Sequence, residues 1–168
     1  FSIGTIFGGQ KTSADYSFRK MLNRDYIAAE KGFLDYINNR DNPPRENLAR
    51  KMLKFTQNQI PYQQYNNGLQ NQYSGSIDSA IYWFDEASIT ANNDLLFEIK
   101  AHRKDLAIVL VDSVNIYKSD MTFEVAENIL LKAKKLANDY YYVNEMLANL
   151  YIEKGDVLKK VGNYNKAN

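Results

Sequence analysis

One pattern recurs along this chain and limits what it can fold into. A large apolar residue is followed by alanine three positions on, by a second large apolar residue four beyond that, and by a further apolar residue after three more. It reads Tyr26–Ala29–Phe33–Tyr36, Ile77–Ala80–Phe84–Ala87 and Phe123–Ala126–Leu130–Ala133, and Tyr164–Ala167 begins a fourth copy. Steps of three and four place each set on one face of an α-helix. The alanine lets a neighbouring helix come close while the large side chains fill the space beside it. Nine residues before the first apolar position stand Ser17, Gly68, Val114 and Gly155. Glycine inside a helix costs about 1 kcal/mol relative to alanine, so its recurrence predicts that close packing offsets the cost. The chain should therefore fold as pairs of helices, each pair meeting at a small residue.

Breakers are few, with 8 Gly and 3 Pro in 168 residues, so long helices are expected rather than many short strands. Thr12 or Ser13 is the expected cap of a first helix carrying Tyr16, Phe18, Met21 and Leu22, and a second helix starts near Asp25. Residues 38–44 break the pattern, with Pro44 suited to the first turn of the next helix. Arg45–Gln59 reads as helix, Pro61 ends or kinks it, and Tyr62–Tyr73 resumes before Ser74-Gly75-Ser76. Asn93 or Asp94 is the expected cap of a long helix over Leu95–Tyr117, and Thr122 that of a helix from Phe123 to about Ala137. Tyr140–Val161 comes after it, and Gly162-Asn163 is expected to turn the chain into a last helix at Tyr164. The chain opens at Phe1 and stops barely one turn into that last helix, which points to a processed or excised piece of a longer protein. The domain reading is an extended segment over 1–11 and one helical repeat domain over 12–168.

These positions resemble the tetratricopeptide repeat family. Tyr151, Gly155, Leu158, Gly162, Tyr164 and Ala167 make the best copy, and Gly68, Gly75, Ala80, Phe84 and Ala87 come next. The resemblance implies an all-α fold, an α-solenoid of antiparallel helical hairpins wound as a right-handed superhelix. The spacing departs from the family: the alanines fall 51, 46 and 41 residues apart, against a repeat of about 34. Either extra helices such as Arg45–Gln59 are inserted between hairpins, or the helices are longer than usual.

Composition narrows the function. With 21 Lys+Arg against 20 Asp+Glu, no concentrated cationic face is expected, and nucleic acid is not an expected partner. Local lysine groups, at Lys132, Lys134 and Lys135 and at Lys159 and Lys160, read as solvated helix faces. The absence of cysteine excludes disulfides and thiolate metal sites and leaves both reducing and oxidising compartments open. No apolar run approaches the roughly 20 residues of a membrane helix. The single histidine, His102, reads as a solvent-facing helix residue. Asp78, Asp85 and Glu86 share a helix but have no evident acidic counterpart, and Gly8-Gly9 lacks the spacing of a phosphate loop. No catalytic, cofactor-binding or metal-binding residues are expected, and the chain is not expected to be an enzyme.

The leading expectation is a protein–protein interaction scaffold or adaptor within a larger assembly. The alternatives are a peptide- or ligand-responsive sensor, and a non-catalytic helical domain attached to an enzyme. In the family the first helices of the hairpins line a concave face. The resemblance therefore implies that Phe18, Met21, Leu22, Tyr62, Tyr65, Leu69 and Tyr73 face a protein or peptide partner, tyrosines being effective anchors. The other reading of these tyrosines is that they pack against neighbouring hairpins. Some family members hold acidic C-termini with a Lys/Asn clamp. Of the matching positions Ala14, Phe18, Val111, Asn115, Ile152 and Asp156 only Asn115 suits, so that activity is not expected. Trp83, turned off the Ala80–Phe84–Ala87 stripe, is expected to fill the seam to the next hairpin or mark an outer contact.

Overall fold

The computed structural model describes residues 12–39 and 43–164, and within them the protein is all-helical. Among these residues seven α-helices succeed one another: α1 (Ser13–Leu22), α2 (Tyr26–Asn38), α3 (Glu46–Tyr73), α4 (Ile77–Thr90), α5 (Asn93–Tyr117), α6 (Phe123–Leu136) and α7 (Tyr141–Tyr164). A 3-10 turn, Lys118–Asp120, joins α5 to the α6 cap. The expected N-terminal segment 1–11 and the last alanine of the pattern, Ala167, lie outside the described residues.

Local chemistry explains most of the ends. Thr12 and Asp15 form a reciprocal capping box: Asp15 N–H donates to Thr12 Oγ1 (3.2 Å) and Thr12 N–H to Asp15 Oδ2 (3.0 Å). Asp25 caps α2 through Ala28 N–H, and Thr122 caps α6 through Val125 N–H. Gly75, at φ +76°, supplies the left-handed residue between α3 and α4.

Three expectations need correcting, and that for Pro61 is narrowed. The cap of α5 is Asn92, whose Oδ1 accepts from Leu95 N–H at 2.9 Å, not Asn93 or Asp94. Pro44 sits before the first turn of α3, because Arg45 takes a left-handed conformation (φ 58°) and the helix proper starts at Glu46. Pro61 does not end α3. Helix continues on both sides of it, so Arg45–Gln59 is no inserted element but the first half of one long helix. Gly162 and Asn163 likewise do not turn the chain, which stays helical to Tyr164. The stretched repeat spacing therefore comes from helix length. The first helices α3, α5 and α7 have 28, 25 and 24 residues, while the second helices α2, α4 and α6 have 13, 14 and 14.

The contacts divide the chain into two compact units, residues 1–96 and 97–168. In the first, α1 packs on α2, α2 on α3 and α3 on α4. The pairs run antiparallel. Tyr26 N–H reaches Gln63 while Glu30 meets Gln57, and Gly68 faces Phe84 while Tyr62 bonds Asn92. Ala29, Phe33, Tyr36, Ala80, Phe84 and Ala87 are all fully buried. The small upstream residues lie at the tightest approaches. A Cβ on Gly68 would come within 2.5 Å of the Phe84 ring, and one on Gly32 within 2.0 Å of Ser17 Oγ. Ser17 is itself fully buried, its hydroxyl donating to Ser13 C=O at 2.8 Å. In the second unit Ala126, Leu130, Ala133, Val111, Val114 and Val143 form the buried set. α6 and α7 are antiparallel, since Tyr151 donates to Glu127 and Lys154 lies near both Glu127 and Glu124. α5 and α7 run parallel. Along them Lys104 lies over the Tyr140 ring, Asn115 bonds Tyr142 and Lys118 pairs with Glu153 at 2.5 Å.

Candidate functional site

The residues singled out for partner binding do not share one environment. Phe18 and Met21 are half-buried against the cluster of Ala14, Ala29, Phe33 and Tyr36, while Leu22 is exposed. On α3, the four positions Tyr62, Tyr65, Leu69 and Tyr73 fall on one side of the helix by their spacing. That side lies next to α4. Tyr65 sits with its ring 5.9 Å from Phe84, and Tyr62 Oη accepts from Asn92 Nδ2 at 2.9 Å. Leu69 is half-buried, whereas Tyr73 is 82% exposed. Packing against a neighbouring helix thus accounts for Tyr65, and the open aromatic area is concentrated at Tyr73 and part of Tyr62. Trp83 is half-buried and meets Tyr82 edge-on.

α7 carries a feature that the sequence pattern indicates only in outline. Its Gly155 occupies the small position of the fourth copy, yet a Cβ there would meet nothing within 4 Å among the described residues. On the same side, three residues before and after it, Ile152 and Leu158 are exposed. The same position in α3 is closed by Phe84. α7 therefore presents uncovered the kind of helix face that α3 buries.

A cleft of about 750 Å³ lies in the first unit, where α2, α3 and α4 contribute to it and its lining includes Pro61 and Tyr62. Nothing in the sequence pattern marks it, because Glu30 lies far in the chain from Glu86 and Asn92 and comes to line the same cleft only through packing. Gln63 has a role that is equally hidden. Its Oε1 accepts from Tyr26 N–H (2.7 Å) and Ile27 N–H (3.1 Å), so α3 helps to cap α2.

Ionisable groups report local pairing. Lys20 bonds Asp25 at 2.8 Å, which holds the Asp25 carboxyl below its ordinary range and raises the Lys20 ammonium. The hydrogen bond to Glu127 raises the Tyr151 phenol. Among the described residues no three His, Asp or Glu side chains gather as metal ligands would, and no helix is long and apolar enough to cross a membrane. Compared with family models, curated proteins and solved structures, the chain finds no match in any of the three.

Proposed function

We propose that this chain is a non-enzymatic protein–protein interaction scaffold, a tetratricopeptide-like α-solenoid of antiparallel hairpins that works within a larger assembly. The observation that carries the reading is the uncovered apolar face of α7 around Gly155. Contiguous exposed apolar side chains on a helix surface mark contact sites more often than isolated ones do. Two features support the repeat character. Antiparallel neighbours recur as α1/α2, α2/α3, α3/α4 and α6/α7, and the alanine stripes of three copies are buried. Stacked helix pairs offer extended surfaces rather than enclosed catalytic pockets.

The test is cross-linking of the protein in its native source, followed by identification of peptides joined to α7. Leu158→Glu and Ile152→Glu should abolish those cross-links while leaving the melting temperature in place, because both side chains are already in water. Cross-links that persist in both variants would remove α7 as the binding surface.

A further inference from the structure

The uncovered side of α7 has covered counterparts in α3 and α5. Gly155 stands nine residues before Tyr164, as Gly68 does before Ile77 and Val114 before Phe123. Three residues ahead of these small positions come Ile152, Tyr65 and Val111. In α3 one ring of α4 fills this side. Phe84 lies within 2.5 Å of where a Gly68 Cβ would be, and its centroid is 5.9 Å from that of Tyr65. In α5 Val111 and Val114 are both fully buried. In α7, by contrast, Ile152 is 62% exposed and Leu158 64%, and no described residue comes within 4 Å of a Cβ on Gly155. This side also carries a charge. Lys159, four residues past Gly155 and so on the same side, is exposed and pairs with no carboxylate among the described residues. Lys154 points elsewhere, toward Glu124 and Glu127 of α6.

We propose that this side of α7 receives one antiparallel α-helix of a partner protein, and that the partner helix carries the chain's own stripe with a carboxylate in its first turn. The stripe is a large apolar residue, alanine three positions on and an aromatic ring four beyond. The inference rests on the scaffold reading and names the chemistry of the partner. The alanine lets the two helices approach, and the ring enters the space that glycine leaves between Ile152 and Leu158. In the antiparallel sense that α4 takes on α3, a ring at Gly155 brings the partner's first turn toward Lys159. A carboxylate there meets the ammonium and also suits the positive end of its own helix. A helix with a basic first turn would meet Lys159 as a like charge. Ile77, Ala80 and Phe84 of α4, with Asp78 in its first turn, fit this description and already do so against α3.

The α4 sequence Ser76–Ala91 is therefore the probe, made as a fluorescein-labelled peptide, capped at both ends and stapled between positions 82 and 86, off its stripe. Fluorescence anisotropy follows its binding to the whole chain. Saturable one-site binding is expected, roughly thirtyfold weaker for the Phe84→Ala peptide and about threefold weaker for Asp78→Asn. The effect of Asp78→Asn should vanish on a chain carrying Lys159→Ala. In the chain, Gly155→Leu and Leu158→Glu should each weaken binding about tenfold or more. Val157→Glu, an exposed position of α7 turned away from Gly155, should leave it unchanged. Melting of each variant by circular dichroism separates lost binding from lost fold. The proposal is overturned by absent saturation, by a Phe84→Ala peptide that binds equally, or by equal effects of Val157→Glu and Leu158→Glu. It is also overturned if the chain alone forms a dimer in sedimentation that Leu158→Glu dissociates, since a second copy then covers the face. Failure of the peptide while native cross-links to α7 persist would discard this partner chemistry and leave the scaffold reading standing.

Discussion

The two glycines at matching repeat positions should respond to alanine with opposite sign. In α3, Gly68→Ala places a methyl 2.5 and 2.6 Å from two carbons of the Phe84 ring, about 1 Å inside comfortable carbon–carbon contact. That ring is fully buried, with Tyr65 beside it, so it has little room to retreat. Overpacking of this kind costs about 1–3 kcal/mol, and the upper part of that range fits a rigid ring edge. Relief of the glycine penalty returns about 1 kcal/mol. The net expectation is a loss of about 1–2 kcal/mol. In α7, Gly155→Ala meets no atom within 4 Å, so only the propensity gain remains, about 1 kcal/mol of added stability. Urea unfolding followed by far-ultraviolet circular dichroism reads both variants. Trp83, the only tryptophan, lies in α4 and reports the α3/α4 pair by fluorescence. A Gly68→Ala/Phe84→Leu double variant should lose less than the two single losses added together, because leucine relieves the contact. Gly68→Ala that stabilises, or strict additivity in the double variant, would refute the argument that Gly68 exists to admit Phe84.

A parallel expectation holds for α1 and α2. Gly32→Ala should destabilise by about 1 kcal/mol or more because its Cβ meets Ser17 Oγ, and adding Ser17→Ala should recover part of that loss in the same unfolding assay. Asp25 contributes stability that is present above its ordinary pKa of 3.8 and is lost as pH falls through its lowered folded value. The stability profile of Asp25→Asn should lack this acid-side loss while keeping the α2 cap, and an unaltered acid limb would exclude the Lys20 pairing as its source. Tyr65→Ala should lower the melting temperature measurably, since it removes a ring packed on Phe84. Tyr73→Ala, at an exposed site, should leave the melting temperature unchanged, and equal shifts would contradict the placement. Thr12→Ala removes half of the α1 capping box and should cost about 1 kcal/mol, read by thermal melting.

What the chain announces in one dimension is the set of features that depend on neighbours in sequence. Helix periodicity, the caps at Thr12, Asp25 and Thr122, and the burial of Ala29, Ala80 and Ala126 all come from spacings of three and four residues. Local signals mislead where tertiary packing outweighs them. Pro61 looks like a terminator, but α2 and α4 pack along α3 and hold the helix together through it. Gly162 looks like a turn, yet glycine is tolerated within a helix at about 1 kcal/mol. The partner face is legible only as a helix side. Nothing local says that α4 occupies the side bearing Tyr65, or that no described residue packs at Gly155 of α7. The cleft is illegible altogether, because Glu30 and Glu86 come to line it only once three helices are packed. Hydrogen bonds and caps are decided within one turn of chain, whereas clefts and uncovered faces are properties of which helices meet.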